Sequence, residues 1–272
     1  MKLALCQMKV GISRSGNIIH AAELLDEAAD NGAELAILPE IFTSMYIQQQ
    51  FKRNSEAVPG GDAHLMLKQK AKTRGIYIIG GSVVMKQDED YYNACMVLDK
   101  KGELMAIHKK IHLFDVDLPQ IKFSESVVFT KGGDLTIVMI GEFCVGIAVC
   151  YDIRFPEYIR LLALQGAGLI VCPAAFSTTT GSAHWELLMR SRAVDNQVYL
   201  AGCSPAPYKT SLYPYYGHSM VVDPWGEIIC EGGEYEEIIY SDISPERINQ
   251  VRKNMDLHKH RRTDLYNLKW NG

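Results

Sequence analysis

The sequence predicts an α/β protein in which two similar α-β layers pack sheet against sheet around one core. Strand-like and helix-like segments alternate along the chain, and the order in the first half recurs in the second. No Pro/Gly/Ser-rich linker separates the halves, so we expect a single domain over residues 1–272. Alternation alone also permits a barrel or a doubly wound sheet, and these architectures remain alternatives.

The first half predicts a strand, a helix, a strand, a helix, a strand and a hairpin. Their ranges are 3–10, 17–31, 34–38, 64–73, 76–79 and about 99–103. The first helix has one apolar face, formed by Ile18, Ala22, Leu25 and Ala29. Gly32 is a suitable stop for it because glycine readily leaves helical geometry.

The second half repeats these elements in the same order. Their ranges are 145–149, 158–165, 169–173, 185–196, 198–204 and 220–227. Aligning the halves by eye places Cys150 opposite Cys6. Between the halves, residues 108–126 have no counterpart and mix charge, imidazole and aromatic groups without a clear period. A long loop in a compact domain is usually functional, so we expect this segment to form a wall of the active site.

Composition argues against several classes of protein. Apolar residues make up 47% of the 272, which is enough for a sizeable core. The net charge of −4 comes without a basic stripe, and the short basic run 258–262 is more readily a solvated face than a binding patch. No apolar run is long enough to span a membrane, and no signal peptide precedes the first strand. We therefore expect neither nucleic acid nor membrane as a partner.

The seven cysteines are scattered singly, mostly in apolar strand-like segments. They are Cys6, Cys95, Cys144, Cys150, Cys172, Cys203 and Cys230. An odd count without a C-x-x-C pair suits reduced thiols in a cytoplasmic protein, not a disulfide framework or a zinc site. His108 and His112 have helical spacing but no HExxH pattern, so no metal is expected.

Cys150 is the strongest candidate for a reactive group. It ends the apolar run 145–149, a polar turn follows, and helix 158–165 begins just beyond. A thiol at a strand end near a helix N-terminus is in the setting that activates cysteine nucleophiles. The alternative is a buried cysteine that acts as a small hydrophobic residue.

A thiol that attacks an amide carbon needs a base, a donor for the oxyanion and a way to activate water. The candidate helpers are Glu40, Lys110 and Glu125. Taken singly, each has a plain alternative. Glu40 can be a surface glutamate after a turn, Lys110 belongs to a lysine pair that is solvated by default, and Glu125 alone is uninformative.

Three segments resemble the signatures of the nitrilase (carbon–nitrogen hydrolase) superfamily, in the family's order. They are residues 38–40 (Leu-Pro-Glu), 109–115 (Lys-Lys-Ile-His-Leu-Phe-Asp) and 147–155 (Ile-Ala-Val-Cys-Tyr-Asp-Ile-Arg-Phe). The resemblance implies a four-layer α-β-β-α sandwich with an internal pseudo-two-fold repeat, which usually dimerises through its outer layer. It also implies Glu40 as general base, Lys110 as oxyanion stabiliser and Cys150 as nucleophile. Glu125 would help to position Lys110 and the substrate, without any cofactor.

Further segments are similar to the ω-amidase branch of that superfamily. They are residues 114–119, 123–126, 179–188, 190–199 and 261–266. Pro119-Gln120 departs from the branch's usual Pro-Gly, and 174–176 (Ala-Ala-Phe) from its usual Gly-Ala-Phe. The resemblance implies hydrolysis of the terminal amide of small dicarboxylic acid monoamides. Other substrates left open are N-carbamoyl compounds, deaminated glutathione and aliphatic amides.

Such a substrate carries a distal carboxylate, so its pocket needs a cation. Arg154, one turn past Cys150, is the candidate because a guanidinium matches a carboxylate with two hydrogen bonds. The alternative is a structural salt bridge from Arg154 to Asp152 or Glu157. The remaining candidates are the hydroxyls of Tyr46, Tyr92 and Thr180, the backbone N–H of Tyr151 for the oxyanion, and Phe176 as a wall.

Two rivals to this hypothesis belong to other classes. A glutamine amidotransferase or another thiol hydrolase would place its cysteine in a Gly-x-Cys-x-Gly elbow, which is absent here, although His184 and Glu186 offer a His-x-Glu pair. We interpret that pair as structure near the N-terminus of a helix. The second rival is a non-catalytic scaffold on the same sandwich, which the intact Glu-Lys-Cys set disfavours.

Overall fold

Two large β-sheets form the centre of the molecule. The computed structural model describes residues 1–119, 121–208 and 213–272. The strands are β1 (Lys2–Gln7), β2 (Leu35–Ile37), β3 (Tyr77–Ile79), β4 (Val83–Gln87), β5 (Asp90–Leu98), β6 (Leu104–Lys109), β7 (Asp115–Leu118), β8 (Ile121–Ser124), β9 (Ile137–Ile140), β10 (Phe143–Ile147), β11 (Leu169–Pro173), β12 (Tyr199–Cys203), β13 (Met220–Val222), β14 (Ile228–Glu231) and β15 (Glu237–Asp242).

The first sheet has the order β15-β1-β2-β3-β5-β4, and β6 also pairs with β5. The second sheet has the order β14-β13-β12-β11-β10-β9. In each sheet three central strands run parallel, and the strands that flank them run antiparallel. β7 and β8 form a separate antiparallel pair.

Helices cover the outer face of each sheet. The described helices are α1 (Arg14–Asp30), α2 (Gln48–Phe51), α3 (Asp62–Arg74), α4 (Pro156–Leu164), α5 (Thr178–Asn196) and α6 (Pro245–Asn254). The apolar faces of α1 and α3 pack on the first sheet, and those of α4 and α5 pack on the second. No helix within the described ranges combines the length and apolarity needed to cross a membrane.

Alternation along β1 shows how the layers assemble. Leu3 and Leu5 belong to the cluster that includes the second sheet, whereas Ala4 and Cys6 belong to the cluster under α1 and α3. Successive side chains of a strand point to opposite faces, so each sheet is apolar on both sides. The predicted four-layer α-β-β-α sandwich is confirmed.

Strand register shows the internal repeat residue by residue. Leu3 pairs with Leu35 in the first sheet, and Val145 pairs with Leu169 in the second. Counting onward from these equivalent pairs places Cys150 opposite Met8. The alignment with Cys6 is therefore wrong by two residues, because the apolar runs match at either offset and only the hydrogen-bonded register distinguishes them.

The segment between the halves is more regular than the sequence indicates. Its first residues complete β6, and β7 and β8 form a hairpin, so the expectation of a loop throughout 108–126 is wrong. Charged residues in these strands interrupt the apolar pattern that would predict them: Asp115 and Asp117 in β7 and Lys122 in β8. The Pro119-Gln120 departure ends on a residue outside the described ranges.

Candidate active site

Cys150 lies in a strained turn immediately after the second sheet. β10 ends at Ile147, and Cys150 is the first residue of a 3₁₀ turn, Cys150–Arg154. Its φ is +47°, a left-handed conformation that is costly for a residue with a side chain. Such strain persists only when surrounding contacts hold it, and it concentrates at functional sites. The thiol is buried, with 7% of the residue exposed.

Glu40 reaches the same edge from the first sheet. It follows β2, and the next residue, Ile41, also has a positive φ and donates its N–H to Ser82 Oγ at 2.9 Å. Glu40 Oε1 accepts from Lys110 Nζ and from Asn93 Nδ2, both at 2.8 Å. Oε2 is buried and has no nitrogen or oxygen partner among the described residues, and the Glu40 carboxylate interacts with the Cys150 thiol.

Lys110 lies between two carboxylates at the end of β6. Its Nζ is 2.8 Å from Glu40 Oε1 and 2.9 Å from Glu125 Oε2. All three side chains are fully buried. Buried charges are tolerated when they are paired and hydrogen-bonded, and here one ammonium serves two carboxylates.

Glu125 is held by groups on both sides of the site. Its Oε1 accepts the hydroxyl of Tyr46 at 2.5 Å and the amide of Asn93 at 3.2 Å. Its Oε2 accepts the backbone N–H of Phe114 at 2.6 Å. These bonds fix the second carboxylate that pairs with Lys110.

Electrostatics keep the resting thiol protonated. Burial raises the pKa of Cys150 well above its ordinary value, the carboxylate of Glu40 adds to this, and the ammonium of Lys110 only partly opposes it. Burial also raises the pKa of Glu40, against the lowering effect of Lys110. Burial lowers the pKa of Lys110, but the two carboxylates outweigh it, so the lysine stays charged. The arrangement suits proton transfer that accompanies attack by sulfur.

A narrow pocket opens at the thiol. Its walls are Tyr46, Phe114, Cys150, Tyr151, Arg154, Ala175, Phe176, Thr180 and Tyr213. The Arg154 guanidinium lies 5.0 Å from the Phe176 ring centroid and 5.8 Å from that of Tyr151. It also lies 3.2 Å from Nδ1 of His184, and burial lowers the pKa of Arg154.

The chain is similar to known carbon-nitrogen hydrolases. The model of the carbon-nitrogen hydrolase family matches residues 2–253. The chain is 43% identical to "Omega-amidase NIT2" of Danio rerio over 98% of this chain and 96% of that protein. The crystal structure of Saccharomyces cerevisiae Nit3 is 37% identical, with a TM-score of 0.88 over 96% of each chain. An amidase from Nesterenkonia sp. AN1, with acrylamide added to its active-site cysteine, is 25% identical, with a TM-score of 0.82 over 97% of this chain and 98% of that one.

The chain belongs to the carbon–nitrogen hydrolase family. The match covers nearly the whole chain, so the resemblance inferred from three short motifs is confirmed. In this carbon–nitrogen hydrolase, the structure brings together most of the side chains named from sequence. The grouped residues are Glu40, Tyr46, Lys110, Glu125, Cys150, Tyr151, Arg154, Phe176 and Thr180.

One of the expected substrate contacts, Tyr92, lies elsewhere in the hydrolase. Asn93 points into the site, so its neighbour Tyr92 lies on the opposite face of β5, where Lys109 Nζ sits 3.9 Å from its ring centroid. Tyr92 is therefore not brought to the cavity, and naming it from sequence was wrong. Tyr46 lines the cavity, but its hydroxyl donates to Glu125.

Three residues of the hydrolase site escaped sequence reasoning. Asn93 bridges the two carboxylates, Tyr213 closes the cavity, and Asp152 binds His112. A polar residue directly before the apolar stretch 94–98 was the available signal for Asn93. In the part of the chain that the structure describes, no cluster of three or more His, Cys, Asp or Glu side chains could hold a metal ion.

Proposed function

We propose that this protein is an ω-amidase, which hydrolyses the terminal amide of small dicarboxylic acid monoamides to the acid and ammonia. Suitable substrates are 2-oxoglutaramate and 2-oxosuccinamate. The observation that carries the proposal is a single small cavity lined by both the Cys150 thiol and the Arg154 guanidinium. Such a cavity offers a nucleophile for the amide and a cation for the distal carboxylate. The similarity to "Omega-amidase NIT2" of Danio rerio supports it.

Acylation uses the buried base. Glu40 Oε2 takes the proton of Cys150 as sulfur forms a bond to the amide carbon. The oxyanion is held by Lys110 Nζ and the backbone N–H of Tyr151, and one such donor is typically worth about 3 kcal/mol. Glu40 then gives its proton to the leaving nitrogen, the carbon–nitrogen bond breaks, and ammonia departs from a thioester.

Deacylation repeats the steps with water. Glu40 removes a proton from water as the water oxygen attacks the thioester carbon, and the carbon–sulfur bond breaks. The proton returns to sulfur, which restores the resting thiol and releases the dicarboxylic acid. No redox partner or cofactor is needed because every bond made or broken belongs to water, the thiol or the substrate.

Arg154 is suited to bind the distal carboxylate. No carboxylate of the described residues lies within salt-bridge distance of its guanidinium, and Asp152 pairs with His108 and His112 instead. Two aromatic rings hold the guanidinium by cation–π contacts without neutralising it. The charge is therefore free to pair with an anion in the cavity.

Ammonia release from a panel of amides tests the proposal. The panel contains 2-oxoglutaramate, 2-oxosuccinamate, deaminated glutathione, N-carbamoyl-β-alanine, an aliphatic amide and a nitrile. We expect the two monoamides to have the highest kcat/KM. Preference for another member would assign that carbon–nitrogen hydrolase activity instead, and no turnover at all would favour the scaffold alternative.

Variants of two cysteines test whether ammonia release depends on Cys150. Cys150→Ala should abolish ammonia release and leave the circular dichroism spectrum unchanged. Cys230→Ala, at a half-buried thiol on β14, is the matched control and should keep full activity. Activity of Cys150→Ala at the wild-type level would remove Cys150 from the mechanism.

We also propose that the protein is a homodimer through the outer face of α5. Three large apolar side chains line one groove there: Leu187, Val194 and Trp225 are 65%, 39% and 51% exposed. A contiguous exposed apolar surface on a soluble domain is typical of an interface. The family resemblance points to the same outer layer.

We further propose a single domain and a cytoplasmic location. One buried cluster contains Leu3 of the first sheet and Val145 of the second, so the halves share their core. All seven cysteines are free. Free thiols persist in a reducing compartment, which supports the cytoplasm.

A further inference from the structure

The buried carboxylate of Asp152 links the Cys150 turn to the segment that carries Lys110. Asp152 Oδ2 accepts the backbone N–H of Val149 at 2.9 Å. Asp152 Oδ1 accepts the backbone N–H of His112 at 2.9 Å and lies 2.7 Å from His112 Nδ1. One oxygen therefore holds the residue before Cys150, and the other holds the residue two places after Lys110.

We propose that Asp152 is a positioning residue, which acts with His112 to fix the Cys150 turn against the Lys110 segment. The proposal rests on the function proposed above, because it assigns a role within that reaction. Asp152 is fully buried and is not among the described residues that line the cavity. Its effect on the reaction must therefore pass through the groups that it holds.

The strained backbone of Cys150 needs such a restraint. Val149 and Asp152 are joined twice, by Val149 N–H to Oδ2 and by Asp152 N–H to Val149 O at 3.0 Å. These two bonds close a ring around Cys150, whose φ is +47°. Without them the turn can relax toward negative φ, which would swing the thiol away from Glu40.

His112 supplies the connection to the second segment. A carboxylate only accepts hydrogen bonds, so Nδ1 of His112 must carry the proton that faces Asp152. The His112 ring stacks on Phe155, with centroids 3.7 Å apart and planes 11° from parallel. The ring is thus held by Asp152 within the 3₁₀ turn and by Phe155 immediately after it.

Histidine contacts also keep the carboxylate ionised. His108 Nε2 lies 3.6 Å from Asp152 Oδ2, while its Nδ1 lies 2.9 Å from Thr136 Oγ1. Burial raises the pKa of Asp152, but the nearby His108 ring and the hydrogen bond from His112 outweigh it, and the pKa lies well below its usual range. The restraint therefore persists through the neutral range.

Four variants separate positioning from simple stability. Asp152→Asn replaces one accepting oxygen by an amide that faces N–H donors. His112→Phe keeps the stack on Phe155 but removes the Nδ1 donor, and His112→Asn returns a donor near that place. Asp223→Asn is the matched control, since Asp223 is also a buried carboxylate that accepts two backbone N–H groups, but in the β13–β14 hairpin.

The measurements are kcat and KM on 2-oxoglutaramate, the melting temperature, and the rate of Cys150 alkylation by iodoacetamide followed by mass spectrometry. For Asp152→Asn and His112→Phe we expect kcat to fall about 10- to 100-fold with KM within about twofold, because small misplacements of reacting groups cost this much. Alkylation at pH 7 should slow about tenfold, since Glu40 no longer meets the thiol. His112→Asn should recover most of both rates, and Asp223→Asn should lose only stability.

Wild-type turnover and alkylation in Asp152→Asn and His112→Phe would overturn the proposal and leave Asp152 a stabilising role alone. If Asp152→Asn does not fold, the difference between His112→Phe and His112→Asn decides the question. Absence of turnover by the wild type on every amide would refute the proposed function. The alkylation rates would still test the positioning of Cys150.

Discussion

At the scale of one residue, the proposed role of the Arg154 guanidinium predicts which amides the cavity accepts. We expect Arg154→Ala to raise KM for monoamides with a distal carboxylate about 10- to 100-fold. A hydrogen bond to a charged group contributes about 1.5–3 kcal/mol, and each 1.4 kcal/mol is tenfold. kcat should change little, and KM for a neutral amide should stay near the wild-type value.

Arg154→Lys is the matched control for this prediction. It keeps the charge but loses the two-pronged geometry, so its KM should lie between those of the wild type and Arg154→Ala. Steady-state kinetics on paired anionic and neutral amides provide the measurement. An equal loss on both substrates would contradict carboxylate binding and make Arg154 structural or catalytic.

The Glu40–Cys150 pair predicts the pH profile. Glu40 must be ionised to act as a base, and burial raises its pKa above the ordinary glutamate value of about 4.3. kcat/KM should therefore fall, as pH decreases, at a higher pH than for an ordinary glutamate. The pKa of Cys150 is also raised, so no increase is expected near the ordinary thiol value of about 8.5.

Measurement of kcat/KM from pH 4 to 10 tests both the fall at low pH and the absence of a rise near pH 8.5. The apparent pKa values that it gives belong to the coupled Glu40–Cys150 pair. A rate that rises tenfold per unit between pH 7 and 9 would show that a thiolate forms before attack. That result would contradict concerted base catalysis by Glu40.

At the residue scale, the central side chains that lie together in the structure are those whose positions a motif marks in the sequence. Glu40, Lys110 and Cys150 each end or follow a strand within a recognisable signature. Asn93 and Asp152 act through contacts with residues distant in the chain, and their neighbours carry no sign of those contacts. Tyr92 was misassigned because a one-residue difference along β5 decides which face a side chain takes.

The element that positions Glu40 depends on Gly81. Gly81 has φ +45°, and a Cβ there would lie 2.1 Å from the carbonyl oxygen of Pro39 and 2.9 Å from that of Leu38. Gly81→Ala must therefore displace the turn after β2. We expect a loss of unfolding free energy greater than the roughly 1 kcal/mol that a left-handed alanine alone costs, together with a fall in kcat.

Gly75→Ala is the control for this prediction. Gly75 ends α3 with φ +65°, and a Cβ there meets nothing within 4 Å. This variant should cost only about 1 kcal/mol and leave kcat unchanged. Urea unfolding and ammonia release measure both effects, and equal behaviour of the two variants would refute the displacement of the Glu40 turn.

Element boundaries show where local patterns mislead. The helix expected over 185–196 begins at Thr178, because Ser177 caps it and accepts the N–H of Thr180. The polar residues 178–184 carry little apolar period, so their helical state depends on the cap and on tertiary packing. Within this extension, Thr180 lines the cavity and His184 lies beside the Arg154 guanidinium.

At the scale of the whole molecule, the sandwich explains why the site forms between the repeats. Glu40 follows β2 and Lys110 follows β6 in the first sheet, whereas Cys150 follows β10 in the second. Only the packing of sheet on sheet brings these strand ends together. The repeated order of segments was enough to predict that packing, but the register of the repeat required the hydrogen-bond pattern.

The apolar groove on α5 predicts the oligomeric state. If Leu187 and Trp225 are buried between two copies, Leu187→Glu combined with Trp225→Glu places charges in that interface and should give monomers. Ile19→Glu is the matched control, since Ile19 on α1 is 61% exposed, close to the 65% of Leu187, but lies in the other helical layer. Light scattering after size-exclusion chromatography should give twice the chain mass of 30.5 kDa for the wild type and the control. A double variant that keeps that mass would place the interface elsewhere, and a wild-type monomer would refute the dimer.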